Sequence, residues 1–142
     1  MSLSHDAKTE AKLARLLKQN SRYPREAYLF LFAGLVRAQQ NRTEKPSGAG
    51  ADHVRGPELC EALRELALDE FGPLALRVLR EWNILRTDDF GRIVFNLIEA
   101  GLLSSTAEDS LVDFADGYEF TTAFVEPFAE TGDLPTDLPP LV

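Results

Sequence analysis

"EWNILRTDDFGRIVFNLIEAGLL", residues 81–103, has the outline of a helix, a tight turn and a second helix. The first helix closes at Trp82. In the second, Thr87 stands where an N-cap belongs. Asp88 and Asp89 follow in the first turn, where the helix dipole favours negative charge by about 0.3–1 kcal/mol each. Phe90, Ile93, Val94, Leu97 and Ile98 recur at helical spacing and predict one buried face. Gly101 supplies the left-handed residue that ends such a helix, just ahead of Leu102-Leu103, where a winged-helix topology places a strand. This outline serves DNA readers and purely structural bundles alike, so surface chemistry must separate the two.

Working back from it, Pro73 starts a short helix on Leu74, Val78, Leu79 and Trp82, after Gly72 has stopped the one before. That earlier helix opens at Gly56-Pro57 and lines up Leu59, Leu63, Leu66 and Ala67. Residues 41–56 carry turn and breaker residues without periodicity and read as a flexible loop. Before them, "REAYLFLFAGLVRAQQ" is apolar nearly all round, as a central helix is, with Pro24 at its start. The first helix spans residues 6–19, with Leu13, Leu16 and Leu17 on one face and Lys8, Lys12 and Arg15 on the other.

Working forward, "TAED" at residues 106–109 has the form of a capping box around a short turn. "VDFADGYEF" then sets Asp116-Gly117 between alternating residues, a hairpin signal. The segment beyond Pro127 holds Pro135, Pro139 and Pro140 and reads as irregular. The expected fold is therefore mainly α: a five-helix single domain with a winged-helix-like C-terminal half and a small β-hairpin. Its parts are an N-terminal helical pair (1–40), the loop (41–56), the winged-helix-like part (57–124) and an irregular acidic tail (125–142).

At 142 residues the chain is long enough to bury roughly two-thirds of its unfolded surface in one domain. No apolar run reaches the length of a bilayer span, which argues against membrane association. "MSLSHDAKTE" has no hydrophobic signal region, and a single cysteine, Cys60, excludes an internal disulfide. Both point to a cytoplasmic protein. The net charge of −8 is unevenly spread: residues 1–45 hold nine Lys/Arg against four acids, and the remainder six Arg against nineteen. After Arg92 no Lys or Arg follows, while ten acids do. Such a surface attracts basic partners and repels polyanions.

"RYPREAYLFLFAGL", "HVRGPELCEALRELALDEFGPLALRVLREWNI", "RTDDFGRIVFNLIEAGLL" and "EDSLVDFADGYEFTTAF" together resemble, in order, the Minf family of short uncharacterised bacterial proteins. The likeness covers residues 22–124. Pro57 departs from the polar residue expected in the family's His-Val-x-Gly-x-Glu-Leu motif. The resemblance implies a common fold and brings no reaction, cofactor or partner with it.

The constellations that could carry chemistry are few. A DNA-reading helix needs basic or amide side chains. Here its exposed face would carry Asp88, Asp89, Arg92, Asn96 and Glu99, and the wing Asp113, Asp116 and Glu119. Because phosphate neutralisation supplies much of the affinity for DNA, no specific DNA binding is expected. Asp116-Gly117 could suggest a calcium loop. Aligning Gly117 with that loop's glycine puts Val112 and Phe114 at ligand positions and Ala123 at the bidentate Glu position, so the match fails and no metal is expected. His53 is the one residue of the resembling motifs with acid–base potential, and Cys60 lies in the first turns of the helix from Gly56-Pro57, where the dipole can lower a thiol pKa. No third member or oxyanion donor completes a catalytic set, and no cofactor motif is present. Arg22-Tyr23, Glu58, Trp82, Asp89 and Tyr118 read as orienting groups, with an Arg–Asp clamp joining the starts of the second and fifth helices.

The favoured reading is a protein-binding or adaptor module. Its binding residues would be Asp109, Asp113, Asp116, Tyr118 and Glu119: acids that steer a basic partner protein, interleaved with Leu111 and with Phe114, Tyr118 and Phe120 as the aromatics that anchor it. A small enzyme using His53 comes second. A weak nucleic-acid binder working through the basic N-terminal helix comes third.

Overall fold

The order of elements is α1 (Ala7–Gln19), α2 (Arg25–Thr43), α3 (Gly56–Phe71), a 3-10 turn (Gly72–Leu74), α4 (Ala75–Glu81), α5 (Thr87–Glu99), α6 (Phe120–Phe124) and α7 (Glu126–Thr131). The source is a computed structural model, which describes residues 7–43, 54–103, 114 and 117–131. The protein is mainly helical, and no strand occurs among the described residues.

α2 is the centre, as its all-round apolar sequence predicts. Ala27, Tyr28, Leu31 and Phe32 are buried, and α2 packs against both α3 and α5. Its approach to α3 depends on Gly34, where an added Cβ would lie 2.8 Å from Leu63 Cγ. Across the same pair, Arg37 reaches Glu65 (3.2 Å) and Asp69 (2.6 Å). α1 buries Leu13 and Leu16. Two polar contacts fix it: Arg25 grips Glu10 with both guanidinium nitrogens (2.7 and 2.8 Å), and Lys12 donates to the Gly101 carbonyl (3.2 Å). Lys12 thus leaves the basic stripe to sit at the C-terminal end of α5, where the dipole favours a cation.

α3 and α5 begin by the same device. The carboxylate of the third helical residue accepts the N–H of the residue before the helix, Glu58 from Arg55 (2.9 Å) and Asp89 from Arg86 (3.2 Å). Thr87 is therefore the first helical residue of α5 rather than its cap. Its buried hydroxyl donates to the Phe114 carbonyl (2.5 Å) and accepts from the Gly117 N–H (3.0 Å). The turn between α4 and α5 lies where the sequence predicts it. Asn83 takes φ 63°, a region asparagine tolerates better than most residues. Ile84 N–H closes the turn on the Leu79 carbonyl (2.8 Å).

Among the described residues the β part of the winged-helix expectation is absent. Leu102 and Leu103 form no strand, because both N–H groups donate to the Leu97 carbonyl (2.8 and 3.3 Å) as α5 closes over Gly101. Nor do Gly117, Tyr118 and Glu119 lie in a hairpin strand. Glu119 instead caps α6, accepting from Thr122 N–H (2.9 Å), and Phe120, Ala123 and Phe124 turn into the core. Of the segment expected to form the hairpin, residues 111–113, 115 and 116 lie outside the described residues, and the described Phe114 and Phe120 pack inward on Gly91 and Phe90. Two boundaries also move. α2 continues through residues 41–43, and α7 forms with Pro127 in its first turn, where a missing N–H costs nothing. The "TAED" turn and residues 44–53 and 132–142 lie outside the described residues.

Candidate functional site

The expected clamp is present, with a tyrosine at its centre. Tyr23 donates its hydroxyl to Asp89 Oδ1 (2.5 Å) and accepts from Arg22 Nε (3.1 Å). Arg92 Nη1 donates to the same Oδ1 (3.2 Å), and Arg22 Nη2 stands 3.7 Å from it. Asp89 Oδ2 takes the N–H groups of Leu85 (2.9 Å) and Arg86 (3.2 Å). A carboxylate only 2% exposed thus receives five partners, which is what a buried charge requires. Burial, together with the neighbouring Asp89, pushes the Tyr23 phenol up to about 12. All of these groups are spent on one another, so the cluster orients α2 against α5 and offers no reactive atom.

Next to the clamp, a cleft of about 640 Å³ opens between α4 and the first residues of α5 and α6. Leu76 and Arg80, one turn apart on α4, make one wall. Leu85 and Arg86 of the turn, Thr87 and Asp88 at the start of α5, and residues 118–121 complete the lining. Several polar groups here are already committed. The Tyr118 hydroxyl donates to the Cys60 carbonyl (2.8 Å), and burial raises that phenol far above its ordinary range. Glu119 is held by Thr122, whose N–H is the main cause of its lowered pKa. Arg86, its side chain 67% exposed, forms a long ion pair with Asp88, Nε to Oδ1 3.9 Å.

Of the residues singled out from sequence, Tyr118 and Glu119 line this cleft, whereas His53, Asp109, Asp113 and Asp116 lie outside the described residues. Phe120, expected among the outward anchors, is buried, and Tyr118 stacks on it at 5.9 Å. Among the described residues the exposed aromatic is Phe95 on α5, 51% accessible, one turn before Glu99. Cys60 departs from the dipole argument: it is buried, and burial pushes its thiol up to about 12, with Asp88 adding to the rise. It is a packing residue held protonated. Arg80, Leu85 and Arg86 carried no functional signal in the sequence, since no spacing links them to residues 118–121.

No three His, Cys, Asp or Glu side chains among the described residues are grouped to hold a metal ion. No described helix is long and apolar enough to cross a membrane. No family model, curated protein or solved structure matches the chain.

Proposed function

We propose that this protein is a protein-binding or adaptor module that presents an acidic surface to a basic partner protein. The observation that carries the proposal is the unbalanced charge beyond Arg92: ten acids and no Lys or Arg, with Glu99, Glu119 and Glu126 exposed. Among the described arginines, Arg64 pairs with Glu61, Arg92 with Asp89 and Arg86 with Asp88, all carboxylates that precede Arg92 in the chain. Phe95 stands beside Glu99 as an exposed anchor, and aromatics flanked by charge are common at interfaces. The reading includes Asp109, Asp113 and Asp116 as steering charges, and kinship with the Minf family as a shared fold without a shared reaction. A small enzyme built on His53 gains nothing from Cys60, whose thiol is held protonated. The test is quantitative affinity capture with Asp109, Asp113 and Asp116 all changed to Lys. Glu119 is changed only to Gln, because it caps α6 and Gln keeps an acceptor there. Partner recovery should fall at least tenfold while circular dichroism stays native. Equal recovery from the native-like variant refutes the proposal.

A further inference from the structure

The outer face of α1 carries cations without counter-charges. Lys8, Ala11, Arg15 and Lys18 recur at helical spacing on one face, and all four are exposed. Glu10, the only acid of α1, is turned away to Arg25. Lys8, Arg15 and Lys18 have no hydrogen bond or ion pair among the described residues. α5 carries the complement: Phe95, half exposed, and the exposed Glu99 one turn on, which pairs with no described cation. The two patches adjoin, because Lys12 donates to the Gly101 carbonyl (3.2 Å) and so sets α1 against the end of α5, two residues past Glu99. We propose that a second copy of the chain brings them together, with Phe95 of each copy resting on Ala11 of the other and Glu99 on Arg15.

A region that holds both halves of a contact is self-complementary and closes as a two-fold dimer, the commonest symmetric assembly. Ala11 leaves room for an aromatic ring, with Lys8 and Arg15 one turn to either side. A ring face attracts such cations, and a guanidinium can grip a carboxylate with two donors. An isolated exposed ion pair adds little, so the dimer is weak and depends on the ring as well as the charges. The net charge of −8 opposes approach from a distance, but screening confines that repulsion to about 8 Å at physiological salt. Against a nucleic acid the same net charge meets a dense run of phosphates with only three unpaired cations on this face to offset it, which favours a second copy as the occupant. The inference rests on the acidic-surface reading in taking Phe95 and Glu99 as interface groups, and it names the partner.

The experiment is sedimentation equilibrium of the full-length protein at physiological salt, with charges exchanged between copies. The parent should dimerise reversibly as its concentration rises. Lys8→Glu with Arg15→Glu, Glu99→Lys alone, and Phe95→Ser alone should each weaken dimerisation at least tenfold. All four side chains are exposed, so native circular dichroism is expected throughout. An equimolar mixture of the Lys8→Glu/Arg15→Glu and Glu99→Lys proteins should associate at least tenfold more tightly than either alone, since mixing restores opposite charges at both contacts. A parent that stays monomeric at millimolar protein, dimerisation unchanged by the α1 reversal, or no recovery on mixing overturns the proposal. So does tighter binding of a fluorescein-labelled RNA duplex than of a second copy, lost on the α1 reversal, which would assign the stripe to nucleic acid. The triple reversal at Asp109, Asp113 and Asp116 should leave the dimer intact. Loss of captured partner in that variant, with no dimer in the parent, would sink this inference and leave the acidic-surface reading standing.

Discussion

Replacing Asp89 by Ala should be among the most damaging single changes in this protein. The substitution removes the acceptor for the Tyr23 hydroxyl, which sits on a residue 1% exposed, and for the N–H groups of Leu85 and Arg86. A buried donor left without a partner costs about 1–3 kcal/mol. The two amides belong to exposed residues and can recover water, so they count at the low end. Arg92 and Arg22 also lose their shared carboxylate, but both face solvent and are discounted. The total is roughly 3–5 kcal/mol, the usual cost of breaking a buried charge cluster. That is a large share of the ~5–15 kcal/mol by which domains are stable. Asp89→Asn keeps one acceptor and should cost about 1–3 kcal/mol, and Tyr23→Phe about 1–2 kcal/mol. Urea unfolding followed by the fluorescence of Trp82, the only tryptophan, is the assay. Trp82 packs on Phe30 (5.5 Å) and Phe71 (5.6 Å), so it reports on the joined α2, α3 and α4. An Asp89→Ala protein within about 1 kcal/mol of the parent, on the scale of an ordinary surface substitution, refutes the reasoning. So does a Tyr23–Asp89 double-mutant cycle with no coupling.

Gly34→Ala should cost about 1–3 kcal/mol by overpacking, since the new methyl meets Leu63 in the α2–α3 contact. Adding Leu63→Val should recover part of that loss, and the same urea assay reads both. Stability should also fall in alkali. Cys60 is raised from 9.0 to about 12 and Tyr23 from 10.0 to about 12. Both hold their protons more tightly when folded, so their contribution is complete below about pH 9 and is lost towards pH 12. The slope approaches about 1.4 kcal/mol per pH unit for each proton. In Cys60→Ala the decline should begin nearer pH 10, and an onset unchanged from the parent contradicts the burial argument. Asn83→Val should destabilise by roughly 1–3 kcal/mol, because a β-branched residue resists the positive φ there and the bond from Asn83 Nδ2 to the Arg22 carbonyl is lost. A melting temperature equal to the parent's would show that the turn is not strained.

The helical part of the fold was legible because its signals are local. Phe90, Ile93, Val94 and Leu97 recur at helical spacing and are all buried, and Asn83 and Gly101 take the positive φ that turns and helix ends require. Strands were expected at Leu102-Leu103 and around Gly117, and none forms there among the described residues. In the first, the helix end consumed the backbone donors. In the second, Phe114 and Phe120 reach one core from a segment that Thr87 pins at both Phe114 and Gly117. The clamp was half legible. Arg22 and Asp89 are the residue types that pair, but nothing in the order of residues says that Tyr23 would stand between them. The cleft was not legible at all, since it joins residues some 40 positions apart through the docking of α6 on α4. The placement of Phe95 outside and Phe120 inside likewise depends on which helix face the core takes.

The proposed role in protein binding rests on the unbalanced acids beyond Arg92, and such a contact must weaken as salt screens it. The decisive measurement is the dissociation constant of the captured partner, by calorimetry at 50 and 300 mM NaCl, for the parent and for the variant with Asp109, Asp113 and Asp116 changed to Lys. An acidic docking surface predicts tight, salt-sensitive binding by the parent and binding at least tenfold weaker, with little salt dependence, by the variant. Equal affinities at both salt concentrations for both proteins would contradict it.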